Sequence, residues 1–289
     1  MTYSIQYAYF SHIGQVRPNN EDNYLCCGHL LPADHTGSEE IFTEAVKRES
    51  KENETIGLLA AVLDGMGGET CGEVASYLGC QKLLALAAAD SSFILADPAA
   101  FLAKACQEAN QAVLDYQQAH RISAMGSTLT AIAFGDHCLA TANLGDSRIY
   151  RFRGDELEQL SVDHVICLGR GYRGKAPLTQ YLGLPEEESA LLPEIRTEEY
   201  QDKDRYLLCS DGLTDMVDPI QLKEYLSLEK PLSETAALLL SQALSAGGRD
   251  NVTAVLCEIS GEKPQPSTRR NGFWSRLFSR LKSGPHKEE

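Results

Sequence analysis

The apolar run Ile56-Gly57-Leu58-Leu59-Ala60-Ala61-Val62-Leu63 closes abruptly on Asp64-Gly65-Met66-Gly67-Gly68. Eight mostly apolar residues bounded by turn residues read as a buried strand, with the Asp64 carboxylate at the strand end where the chain opens into a loop. An acid in that position needs a partner charge. The glycines let the backbone approach that partner closely and would offer the Gly65 carbonyl as a further oxygen ligand. Alone, the motif reads more readily as an ordinary Asp-Gly turn joining two elements. Three other stretches have the same form: Glu21 in Asn19-Asn20-Glu21-Asp22, Asp211 in Ser210-Asp211-Gly212, and Asp250 in Gly247-Gly248-Arg249-Asp250-Asn251. Each places an acid beside an expected strand and a Gly- or Asn-rich turn.

The remaining periodicity gives strands at Ser4 to His12, Asn23 to Gly28, Ser127 to Phe134, Cys138 to Asn143, Arg148 to Arg153, Arg205 to Cys209 and Val252 to Ile259. Helical spacing runs through Glu73 to Ala89, Pro98 to His120, Ile220 to Leu226 and Ser233 to Ala246, and a short helix is expected around Glu39 to Lys51. Residues 164 to 178 read as a surface loop. Strands in runs and helices in pairs argue for α+β with antiparallel sheets, not a regular βαβ array.

Charge narrows the function. The net charge is −15, but residues 262 to 289 carry +4, leaving −19 on residues 1 to 261. A body that acidic repels nucleic acid and concentrates cations, so no nucleic-acid partner is expected. If the fold gathers Glu21, Asp64, Asp211 and Asp250, the four carboxylates require cations, and oxygen ligands select Mg²⁺ or Mn²⁺. None of the seven histidines stands in a zinc-like spacing. Hard metals on carboxylates, with Arg17 nearby for a tetrahedral anion, suit phosphate-ester hydrolysis. Nine scattered cysteines without a CxxC pair are expected to be reduced. With no signal peptide and no apolar run of membrane-spanning length, a cytoplasmic protein is expected.

Six ordered motifs make the reading sharper. Arg17-x-x-x-Glu21-Asp22, Asp64-Gly65-x-Gly67-Gly68, Gly126-Ser127-Thr128, Gly145-Asp146-Ser147-Arg148, Ser210-Asp211-Gly212 and Asp250-Asn251 resemble, in order and approximate separation, the protein phosphatase 2C family of metal-dependent Ser/Thr protein phosphatases, in its bacterial form. The resemblance covers roughly residues 3 to 260. It implies a four-layer α-β-β-α sandwich, with two antiparallel sheets flanked by helices and metals in a cleft at one end. It also implies hydrolysis of phosphoserine and phosphothreonine by a two-metal-activated water, without a phosphoenzyme. Carried over by position, Asp64 would bridge two ions of Mn²⁺ or Mg²⁺. Glu21 and the Gly65 carbonyl would complete one, and Asp211 and Asp250 would hold the other. Arg17 would bind the substrate phosphate, with Asp22 and Asp146 behind the ligands. Phosphorylated proteins and a cognate Ser/Thr kinase are the implied partners.

The sequence departs from the family pattern in three places. Met66 stands where some members have a His able to protonate the leaving group. Arg121-Ile122-Ser123-Ala124-Met125 lacks the acid that often precedes Gly-Ser-Thr, so a third ion would have Asp211 as its only evident ligand. The flap after Asp163-His164 also looks shortened or altered.

Two rival readings use the same chain. Cys167 to Arg173 has the Cys-x5-Arg spacing of thiol-dependent phosphatases, although Pro177 follows where a helix should run. A catalytically weak phosphatase-like module that only binds phosphoproteins is the other. Residues 1 to 261 form the expected catalytic domain, and 262 to 289 a linker and a basic amphipathic tail. Phe273, Trp274, Leu277, Phe278 and Leu281 share one helical face, so residues 269 to 282 could dock on an anionic membrane or an acidic partner.

Overall fold

The computed structural model describes residues 3–37, 40–47, 58–66, 71–122, 124–136, 138–166 and 175–261. Gly67, Gly68, the rival motif Cys167 to Arg173, and the tail after residue 261 lie outside the described residues.

Strand alternation builds a core on both faces of one sheet. In β1 (Tyr3–His12), Tyr3, Ile5, Tyr7 and Tyr9 pack into one apolar cluster, while Ala8 and Phe10 pack into a second. The chain continues with β2 (Asp22–Cys26), β3 (Phe42–Lys47), β4 (Leu59–Met66), α1 (Gly72–Ala89), α2 (Ser91–Ala96) and α3 (Pro98–His120). Next come β5 (Gly126–Ser127), β6 (Leu129–Phe134), β7 (Leu139–Leu144), β8 (Arg148–Arg153), β9 (Glu156–Gln159), β10 (Glu194–Glu198) and β11 (Arg205–Cys209). The described chain ends with α4 (Asp211–Thr214), α5 (Pro219–Ser227), α6 (Leu232–Ser245) and β12 (Val252–Gly261).

One sheet has the order β3-β1-β12-β11-β8-β9, and the other β10-β7-β6-β4-β2 with β5 against the end of β4. Every pairing is antiparallel. Tyr206 and Leu208 of β11, and Val255, Cys257 and Ile259 of β12, face the second sheet. Leu207, Cys209, Ala254 and Leu256 alternate outward beneath α5 and α6. Helices α1 and α3 cover the far side of the second sheet, giving the expected α-β-β-α layering.

Local chemistry sets the helix starts. Asp97 accepts from Ala100 N (3.0 Å) ahead of Pro98. Asp218 accepts from Ile220 N and Gln221 N, and the Gln221 side chain closes a capping box.

The helix expected around Glu39 to Lys51 is corrected: Phe42–Lys47 is a strand paired with β1, Tyr9 opposite Phe42 and Ser4 opposite Lys47. The free edge of β1 offers hydrogen bonds that a helix cannot use, and the Tyr9 and Phe42 rings stack at 5.5 Å. Tertiary pairing overrides a weak local preference here. Strands β9 and β10, with their polar, half-exposed faces, were not legible from apolar alternation. An ionic network joins these two edges across the sandwich: Arg151 binds Glu158 and Glu198, and Arg196 binds Glu158.

The layer of α1 depends on close approach to β4. A Cβ at Gly79 would stand 2.9 Å from Leu182 Cδ1 and closer still to Leu63 Cδ2, both on fully buried residues. Gly79→Val is therefore expected to destabilise the fold by about 1–3 kcal/mol in a chemical denaturation experiment, through overpacking.

Candidate active site

The acids gather at one end of the sandwich, through strand pairing. Antiparallel pairing of β2 and β4 sets Asp22 directly opposite Asp64. The Asp64 backbone is fixed on both sides: its N–H donates to Thr128 Oγ1 (3.0 Å), and its carbonyl accepts from Thr128 N (2.8 Å) and Ser127 Oγ (3.1 Å). Thr128 Oγ1 in turn shares a 2.7 Å hydrogen bond with Ser147 Oγ. Two of the sequence motifs are thus the scaffold of a third. Gly65 N donates to the Glu21 carbonyl (3.1 Å), which also accepts from Ser76 Oγ (2.7 Å). A Cβ on Gly65 would lie 2.5 Å from Glu21 O and nearer still to the Gly72 carbonyl, so only glycine fits.

Asp211 opens α4 and is buried, and its neighbour Gly212 leaves no room for a Cβ against the Asn251 carbonyl. That contact holds the Ser-Asp-Gly and Asp-Asn motifs together. Asn251 also staples the loop that bears Arg17. Its Nδ2 donates to Ile13 O and Asn19 O, both at 2.9 Å, and its Oδ1 accepts from Glu21 N at 2.8 Å. Arg17 Nη2 then reaches Asp250 Oδ2 at 2.6 Å.

Lys175 was missed from sequence. Its ammonium binds Asp211 Oδ2 and, at 2.9 Å, Asp250 Oδ2. The only signal was a single lysine between Lys104 and Lys203, in a loop of an acidic protein. Nearby in sequence, Ile166 N donates to Pro177 O (2.9 Å) and Thr179 N to His164 O (2.8 Å), and Arg148 grips Asp163.

The electrostatics are those of crowded, desolvated acids. Burial, then the charges of Asp22 and Asp211, push the Asp64 carboxyl well above the ordinary range, with Lys175 opposing. Burial raises Asp22 to about 7 against hydrogen bonds from Ser210 and Thr253, with Asp211 and Asp250 adding to the rise. Asp146 is raised to about 6, by burial and then by Asp211. Glu21 is raised by burial, despite its contact with Asn19. Burial would raise Asp250 too, but hydrogen bonds from Lys175 and Arg17 outweigh it and hold the group below its ordinary value.

The structure therefore brings Glu21, Asp22, Asp64, Asp146, Asp211 and Asp250 into one electrostatic neighbourhood with Arg17. Among the described residues no group of three or more acid, His or Cys side chains forms a finished metal cage. Lys175 and Arg17 engage the carboxylates instead. The donor set still suits a hard cation, because the side chains concerned are carboxylates and Asp211 Oδ1 is buried without a hydrogen-bond partner. The eight described cysteines are free, and no described helix is long and apolar enough to cross a membrane.

Comparison with known proteins gives the family. The sequence profile of protein phosphatase 2C matches residues 45–254. This chain belongs to the protein phosphatase 2C family. It is 33% identical over 222 residues to the serine/threonine phosphatase stp of Listeria monocytogenes, covering 73% of this chain and 86% of the relative. To the Mycobacterium tuberculosis serine/threonine protein phosphatase PstP it is 31% identical over 268 residues, 90% of this chain and 46% of that one. The crystal structure of that PstP superposes with a TM-score of 0.70 at 30% identity, over 89% of this chain and all of the other. The PstP catalytic domain in complex with two manganese ions gives a TM-score of 0.69 at 30% identity, over 90% and 100%. As a member of the 2C family the chain is a protein phosphatase.

The raised Asp22 supplies a test. Its folded-state pKa lies above the ordinary 3.8, so folding favours the neutral acid. That contribution is present below about pH 4 and is lost as pH climbs towards 7. In EDTA, the stability of Asp22→Asn relative to the unsubstituted protein should rise between pH 4.5 and pH 8, by at most roughly 4 kcal/mol. Urea titrations at the two pH values measure it, and a pH-independent difference would contradict the assignment.

Proposed function

We propose that this protein hydrolyses phosphoserine and phosphothreonine in proteins with two divalent ions, Mn²⁺ or Mg²⁺, and that water is the direct nucleophile. The observation that carries the reading is the buried, partnerless Asp211 Oδ1 beside Asp64 and Asp250, where acids crowd and cationic side chains are drawn in. Asp64, Glu21 and the Gly65 carbonyl would hold one ion, and Asp64, Asp211 and Asp250 the other. When bound, such ions neutralise phosphoryl charge and make water acidic enough to attack near neutral pH.

The chain's own groups have separate tasks. Arg17, half exposed and positioned by the Asn251 staple, is available to fork onto phosphate oxygens. Asp22 stands behind Asp64 and accepts from Ser210 Oγ at 2.7 Å, which holds the acid layer in register. Asp146, in the turn between β7 and β8, adds negative charge next to Asp211. The hydroxyls close to the acids are engaged: Ser127 with Asp64 O and Thr128 O, Ser210 with Asp22, and Thr128 with Ser147. A phosphoenzyme on any of these would first have to break the scaffold. Met66 carries no proton to give, so the leaving alcohol takes its proton from water.

Relatives named serine/threonine phosphatases support the substrate class, and the PstP complex with two manganese ions supports the cofactor. Phosphorylated proteins, an opposing Ser/Thr kinase and a cytoplasmic setting complete the proposal. Docking through residues 269 to 282 falls outside the described residues.

The test is hydrolysis of a phosphothreonine peptide. Turnover should require Mn²⁺ or Mg²⁺, vanish in EDTA, survive Cys167→Ser, and fall at least about 100-fold in Asp211→Ala. Turnover unaffected by EDTA would overturn the metal reading. Binding of phosphopeptide without turnover under any metal would make the protein a recognition module.

A further inference from the structure

Beside the acids lies a cleft that the proposed reaction does not use. It has a volume of about 370 Å³, and its walls include Met66, Met125, Leu178, Tyr181 and Pro185, with Glu188 at one side. Its place relative to the acids follows from the backbone. Met66 is two residues beyond Asp64 on the same strand and pairs with Gly126, and Gly126 precedes the Ser127 that supports Asp64. A strand advances about 3.3 Å per residue, so the cleft opens within one to three residues of a phosphorylated residue held over Asp64.

The walls and the charge specify one occupant. Thioether, leucine, proline and the Tyr181 ring supply the apolar part of a mixed lining, and Met side chains adapt to long unbranched chains. The Glu188 carboxylate is exposed, has no salt bridge among the described residues, and is near enough to Tyr181 to add to the effect of burial in raising its hydroxyl. A lysine or arginine stem would lie along the methionines and the ring, with its cation on the ring face and Glu188. A body of net charge −19 favours the same sign of ligand.

We propose that this cleft is a specificity subsite that takes a lysine or arginine flanking the phosphorylated residue of the substrate, with Glu188 as its counter-charge. This rests on the phosphatase reading above and adds a substrate preference to it.

The experiment compares kcat/KM for phosphothreonine peptides that differ only in carrying Arg, Leu, Ala or Glu at each position from −3 to +3, with p-nitrophenyl phosphate as a substrate too small to reach the cleft. The intact protein should prefer Arg to Ala about tenfold at one flanking position. Glu188→Gln should cut that preference to about twofold or less, and Glu188→Lys should invert it in favour of Glu. p-Nitrophenyl phosphate turnover should be unchanged in both variants. Equal rates for the Arg and Ala peptides, a preference for Leu, or an Arg preference that survives Glu188→Lys would each overturn the subsite. Loss of p-nitrophenyl phosphate turnover in the intact protein would instead count against the phosphatase reading itself.

Discussion

Crowding of carboxylates in a desolvated place is the constraint around which this structure is arranged. Asp22 and Asp64 face each other on paired strands, and Asp211, Asp250 and Asp146 converge from three other turns. Left alone, that arrangement would be costly, because each acid raises the others' affinity for protons. The fold offsets the cost with hydrogen bonds that fix the segments bearing the acids. Thr128 clamps Asp64 from both sides, Ser210 holds Asp22, and Asn251 ties three segments together through one amide. Crowding of this kind, held in place by those bonds, is what draws in Arg17 and Lys175.

The two-sheet sandwich serves that end. In the first sheet β1, β11 and β12 bury residues on both faces, one set against the second sheet and one under α5 and α6, and the strand ends at Cys209 and Val252 are themselves buried. The site residues sit where those ends give way to turns. Gly65 and Gly212 allow one backbone to lie against another at the two points where a side chain would push the acids apart. Membership of the protein phosphatase 2C family is consistent with this architecture, and the superposition on PstP extends over 89% of this chain.

Much of this was legible in the sequence, for a physical reason. Strands buried on one or two faces and long amphipathic helices leave a periodic trace, and Arg148–Arg153, Arg205–Cys209 and Pro98–His120 fall where the pattern puts them. Elements held by polar contacts leave none. β9 and β10 are joined by arginine and glutamate networks, and β3 exists because β1 has an open edge. The acids were recognisable from their glycine and asparagine neighbours. Lys175 was not, because its contact with Asp211 joins residues far apart in sequence, which no local pattern encodes. The supporting roles of Thr128, Ser147 and Asn251 depend on register between distant strands, and Glu188 gains meaning only from the cleft it borders.

The central claim is that the crowded acids form a two-ion site in which the cationic side chains are replaceable. Anomalous diffraction from crystals grown with Mn²⁺ tests it directly. The account predicts two manganese peaks, one shared by Asp64, Asp211 and Asp250 and one by Asp64, Glu21 and the Gly65 carbonyl, with the Lys175 ammonium withdrawn from Asp211. Absence of any peak at Asp64 and Asp211, with Lys175 still bound to Asp211 in millimolar Mn²⁺, would contradict it.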